Sequence, residues 1–141
     1  MTETLTLRDV MTSDPVTLPS EACIADAARV MRDKNIGDVI VTRNGSICGI
    51  ATDRDVVVRA VADGQDPTTT PLGAVCSQSL ATVTVETPIE DAISLMRDKA
   101  VRRLPVVEDG RAVGIVSIGD LAEVRDPRSA LADISSAAPN N

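Results

Sequence analysis

The chain has 141 residues, 43% of them hydrophobic, enough to bury a core in one compact domain or in two small halves sharing an interface. A net charge of −7 and the absence of Phe, Tyr and Trp repel phosphate backbones and remove the stacking platforms of single-strand binders, so no nucleic acid partner is expected. No window approaches the roughly 18 apolar residues of a membrane helix, and the start MTETLTLRDVM lacks the regions of a signal peptide, so a soluble, cytoplasmic protein with no membrane partner is expected.

PVTL, Pro15 to Leu18, predicts a short first strand. The apolar residues Ile24, Ala27, Ala28 and Met31 then recur at i, i+3, i+4 and i+7, which predicts a helix with one buried stripe. GDVIVT and SICGIA read as strands joined at Asn44-Gly45, a pair suited to a tight hairpin because both positions tolerate positive φ. A last helix, RDVVVRAVAD, carries more valine than one buried stripe uses and predicts an exposed apolar surface. Residues 62–71, with Gly64, Pro67 and Pro71, read as a linker.

The same order then returns: a strand in LATVTV, a helix striped by Ile89, Ala92, Ile93 and Met96, strands RRLPVVE and RAVGIVS around Asp109-Gly110, and a helix GDLAEV. Thr87, Pro88 and Glu90 spell a capping box with proline in the first turn. The tail, residues 125–141, with Pro127, Pro139 and SSAAPNN, offers little to bury and is expected to fray.

A shift of 65 positions places Met31 on Met96 and Asp55 on Asp120 without a gap, and also carries Leu7 onto Leu72 and Ile24 onto Ile89. The chain is therefore read as two copies of one β-α-β-β-α unit, residues 7–61 and 72–124, an α/β (α+β) fold of two packed repeats. One half alone would leave an apolar face in water, and two can bury it against each other.

GIATDRD, Gly49 to Asp55, returns as GIVSIGD, Gly114 to Asp120. A hydroxyl followed three residues later by an acid, where a strand gives way to a helix, is a capping signature. The same geometry also suits a nucleotide: the hydroxyl can donate to a phosphate while the carboxylate accepts from the two hydroxyls of a ribose. Both readings stand on the residues alone.

Catalysis is not expected. The chain has no histidine to serve as general base, and Asp53, Asp55 and Asp120 each have a helix-start role. Cys23, Cys48 and Cys76 stand far apart without a C-x-x-C, which with the missing histidines argues against a zinc site and reads as small buried hydrophobes.

The tandem units, the LPVV strand after a basic pair, the NG and DG turns and the two G-h-x-[ST]-x-x-D segments together resemble a pair of cystathionine-β-synthase (CBS) domains, the Bateman module, over residues 7–124. That resemblance implies a pseudo-two-fold pair with two clefts between the halves, binding an adenosine compound (AMP, ADP, ATP or S-adenosylmethionine) as a regulatory ligand rather than a catalytic cofactor. It implies a main cleft of Ile50, Thr52, Asp55, Leu80, Ala81, Val101, Arg102 and Arg103, the arginines facing phosphate. A second would hold Pro15, Val16, Ile36, Ile115, Ser117 and Asp120, with Gly37 and Asp38 where the first has arginines. It also implies a homodimer. With no effector domain in this chain, a stand-alone sensor would signal to a separate effector protein; the other reading is a ligand-free interaction module.

Overall fold

In the computed structural model, which describes residues 5–77 and 81–125, each repeat is built on a hairpin. β3 (Asp38–Arg43) and β4 (Ser46–Thr52) pair antiparallel, as do β6 (Arg103–Glu108) and β7 (Arg111–Ser117). Asn44 and Gly45 turn the first at φ 53° and 80°, and Asp109 and Gly110 the second at 53° and 79°, the left-handed pair that both dipeptides predict. β2 (Thr17–Pro19) runs parallel to β3, and β5 (Val83–Thr84) parallel to β6. These parallel pairs enclose the crossover helices α2 (Ile24–Lys34) and α4 (Ile89–Lys99).

Both helices bury their first, fourth and eighth residues: Ile24, Ala27 and Met31, then Ile89, Ala92 and Met96. Ala28, expected inside, is exposed. The contact line of α2 turns instead toward Val30, which is half-buried against the core, while Ile93 of α4 stays half-buried. Both helices end in a left-handed residue, Asn35 and Ala100.

The start of α4 differs from expectation. α4 is capped by Pro88 without a side-chain bond, so the expected Thr87–Glu90 capping box does not form. Thr87 Oγ1 accepts from the Thr84 N–H upstream at 3.1 Å, and the Ile89 N–H reaches the Leu5 carbonyl. At α2 the linker does this work: Ile24 and Ala25 N–H donate to the carbonyls of Thr70 and Pro67. The linker is held in turn by Asp66, whose Oδ1 accepts from Thr68 N and Oγ1 at 2.9 and 2.7 Å. Those donors hold its carboxyl below the usual range.

The compact units do not follow the repeats. One unit holds residues 16–77; the other holds 5–15 together with 81–125. We call them the first and second units. Leu7, which opens α1 (Leu7–Val10), is fully buried among Leu104, Val106 and Val116, while Leu72 sits in the core of Ile24, Val39 and Val41. Behind Leu7, β1 (Thr12–Ser13) pairs antiparallel with β7, and behind Leu72 a single bridge joins Ser77 to Ile50 of β4. Each unit thus takes the leading segment of the other repeat.

The segment after Thr52 is not one regular helix. α3 (Asp53–Asp55) passes into a π-helical turn, Val56–Val61, and leaves Val57 and Val61 57% and 60% exposed, the apolar surface expected there. α5 (Ile118–Arg125) is the counterpart in the second unit. Among the described residues no helix is long and apolar enough to cross a membrane. Leu80 and the tail from residue 126 lie outside the described residues.

Candidate functional site

The hydroxyl and acid of each repeated motif meet. Thr52 Oγ1 accepts from Asp55 N at 3.0 Å, and Asp55 Oδ2 accepts from Thr52 N at 3.0 Å. Ser117 Oγ accepts from Asp120 N at 3.2 Å, and Asp120 Oδ2 from Ser117 N at 2.9 Å. Both motifs are reciprocal capping boxes, complete without a ligand. Each hydroxyl spends an acceptor there and keeps its proton to donate.

The two copies differ in their surroundings. Asp55 Oδ1 lies 3.7 Å from Arg59 Nε, one turn along. Val124 stands at the matching position of α5, and Asp120 Oδ1 has no partner among the described residues. Because Arg59 is half-exposed, its pair with Asp55 is worth little and yields readily to another donor.

The strands bring further residues to each box. Asp38 lies in register with Thr52, and the Asp53 carboxylate crowds Gly37, with Oδ2 3.4 Å from where a Cβ there would stand. In the second unit Arg103 lies in register with Ser117, and the Ile118 N–H donates to the Arg102 carbonyl. Arg102 is exposed and Arg103 half-buried. The first unit's box is thus flanked by acids and the second unit's by arginines.

Within the first unit, Ile50 is 8% exposed and exchanges two backbone hydrogen bonds with Ser77, while Val16 and Ile36 lie against the core. In the second unit, Ile115 pairs with both Thr12 and Pro105, and Ala81 and Val101 lie against the core. Val101 also lines a groove of about 460 Å³ with Ile93, Met96 and Ile118. Pro15 is half-buried. The expected clefts each combine residues of both units.

The motif glycines have a role the sequence does not announce. A Cβ on Gly49 would run into the Ser77 carbonyl oxygen and stand 2.9 Å from Cys76 Sγ; one on Gly114 would meet Met11 Sδ at 2.5 Å and the Thr12 carbonyl at 3.0 Å. Met11 and Thr12 are the repeat equivalents of Cys76 and Ser77, so each glycine admits the leading segment of the other repeat. The signal was present in the common shift of 65 that relates all four partners. Among the described residues no three His, Cys, Asp or Glu side chains gather as a metal site requires.

Against known proteins, the family model described as CBS domain matches residues 7–61 and 72–126. CBS domain-containing protein YhcV of Bacillus subtilis is 38% identical over 116 residues, covering 82% of each chain. A crystal structure of Hypoxic Response Protein I with two coordinated zinc ions superposes with a TM-score of 0.76 at 31% identity, over 84% of this chain and 97% of that one. The CBS domain pair of protein MJ0100, in complex with 5′-methylthioadenosine and S-adenosyl-L-methionine, superposes with a TM-score of 0.79 over 90% and 100%, at 22% identity, a likeness of fold.

Proposed function

Because the chain belongs to the CBS domain family and carries two such domains in tandem, we propose that it is a regulatory, non-catalytic module that binds an adenosine nucleotide and signals to a separate protein. The observation that carries this reading is the repeated box, which in both copies holds a hydroxyl with a proton to give beside a carboxylate fixed by backbone N–H. In this reading the hydroxyl donates to a phosphate oxygen and the carboxylate accepts from the ribose hydroxyls.

The main site draws on Ile50, Thr52 and Asp55 with Leu80, Ala81 and Val101 as walls, and Arg102 and Arg103 give phosphate charge-assisted hydrogen bonds. The second draws on Val16, Ile36, Ile115, Ser117 and Asp120, where Asp38 opposes phosphate. One nucleotide should then bind well per chain and the other weakly or not at all. With no aromatic ring to stack on, the base lies between aliphatic walls and is read by backbone groups near residues 80–82. Affinity should be modest, about micromolar, or about 8 kcal/mol.

The module is proposed to work in the cytoplasm as a homodimer; the exposed Val57, Val58 and Val61 support the second copy. The zinc of Hypoxic Response Protein I is not carried over, since among the described residues no three His, Cys, Asp or Glu side chains gather as a metal site requires. One observation favours a second reading, a ligand-free interaction module: both boxes are closed already. Thermal unfolding separates the two. A sensor gains stability with at least one of AMP, ADP, ATP, S-adenosylmethionine or 5′-methylthioadenosine, by about 2.7 kcal/mol at a hundredfold excess over Kd; an interaction module gains none.

A further inference from the structure

The far end of the β3–β4 hairpin from Thr52 meets the linker and the loop after β2. There Ser20, Glu21, Arg43, Thr69, Gly73 and Ala74 border an open cavity of about 580 Å³. Arg43 Nε reaches Ser20 Oγ at 3.5 Å, and Nη2 stands 3.6 Å from the point where a Gly73 side chain would begin. Among the described residues no carboxylate pairs with Arg43. Ser20 is only 6% exposed. Its oxygen takes the Arg43 bond, and its proton remains to be donated.

The second unit serves as an internal control. Val85, buried, stands at the position of Ser20, Glu108 at that of Arg43, and Arg8 at that of Gly73. Arg8 Nη2 reaches Glu108 Oε1 at 4.0 Å. The same place in the duplicated fold is therefore apolar beneath and neutralised above. The fold requires neither a buried hydroxyl here nor a guanidinium that, among the described residues, has no carboxylate partner, and burying a hydroxyl costs stability unless it is used.

We propose that this cavity binds a small oxyanion, the phosphate or carboxylate group of a metabolite, on Arg43 and Ser20. It is a site separate from Thr52 and Asp55, about 17 Å away along the hairpin. Planar guanidinium donors and a hydroxyl proton together suit an oxyanion, and the exposed Glu21 on the rim weakens its hold on a bare one. The leading segment of the second repeat, with Thr69 of the linker beside it, forms one wall: the Ser20 carbonyl accepts from Gly73 N at 3.0 Å, and that of Ala22 from Leu72 N at 2.7 Å. Occupancy would fasten that segment to the loop after β2.

The test is amide NMR of the full chain titrated with inorganic phosphate and, separately, with succinate. Saturable shifts are expected at Ser20, Gly73 and the Arg43 Nε–H, with Kd of about 1 mM; the anion that binds tighter identifies the phosphate or carboxylate source. Arg43→Gln and Ser20→Val should each weaken binding at least about tenfold, and Glu21→Gln should tighten it. Ser20→Val is expected to fold, because Val85 fills the same place. No saturable shift, shifts that persist in Ser20→Val, or shifts confined to Thr52 and Arg103 would overturn the proposal.

Discussion

Replacing Gly49 with alanine drives a methyl group into the Ser77 carbonyl oxygen and to 2.9 Å from Cys76 Sγ. A backbone atom cannot swing aside, so residues 76–77 must move and the two bonds between Ile50 and Ser77, at 2.9 and 3.3 Å, are lost or stretched. At about 1 kcal/mol per bond, with about 1–2 kcal/mol of overpacking offset by about 0.5–1 kcal/mol of reduced chain entropy, the net cost is about 2–3 kcal/mol. At the matching site, Gly114→Ala meets mainly the flexible end of Met11, and the Thr12 carbonyl only at 3.0 Å. Its cost is about 1 kcal/mol, because a thioether repacks readily. Calorimetric melting should therefore show Tm lowered by about 8–12 °C for Gly49→Ala and about 4 °C for Gly114→Ala. Equal effects, or a larger loss at Gly114, would refute the close-approach account of these glycines.

Ala100→Gly should raise stability by about 0.5–1 kcal/mol, read as Tm, because Ala100 holds φ 54° at the end of α4 where glycine pays no steric cost. Asp66 has a folded pKa below its unfolded one; its contribution is present above about pH 4 and is lost as pH falls through the lowered value. The Tm difference between wild type and Asp66→Asn should accordingly shrink on acidification, and a gap that widens would contradict the assignment. Burial raises the Cys76 thiol, so Cys76 should be the slowest of the three cysteines to react with iodoacetamide at pH 8, followed by mass spectrometry; faster labelling than Cys23 would count against it. Light scattering should give twice the 14.8 kDa chain mass, and Val57→Glu with Val61→Glu should return it to one.

Much of this architecture is written locally. Positive φ at Asn44-Gly45 and Asp109-Gly110, and the stripes through Met31 and Met96, follow from residue chemistry within a few positions. The exchange of leading segments does not, and duplication is the reason. Leu7 and Leu72 are equivalent in the repeat, so either could fill either core without changing the hydrophobic pattern, and only the fold assigns Leu7 to the second unit. Thr87 misleads because its hydroxyl accepts from the N–H upstream, at Thr84, and not from the first turn of α4, which Pro88 caps. At the candidate site the Thr52–Asp55 and Ser117–Asp120 pairs were legible as boxes, whereas the Arg59 contact to Asp55 depends on the turn after α3.

Calorimetric titration of AMP, ADP, ATP and adenosine into wild type, Asp55→Ala, Arg103→Ala and Asp120→Ala, each first shown to be folded, tests most directly whether the repeated box holds a nucleotide. One tight event per wild-type chain is expected, abolished by Asp55→Ala and nearly unchanged in Asp120→Ala. Arg103→Ala should weaken the three nucleotides far more than adenosine, since the guanidinium meets only phosphate. Binding that survives in Asp55→Ala but is lost in Asp120→Ala would place the ligand on the other box, and a wild-type chain that binds no adenosine compound would leave both boxes as helix caps alone.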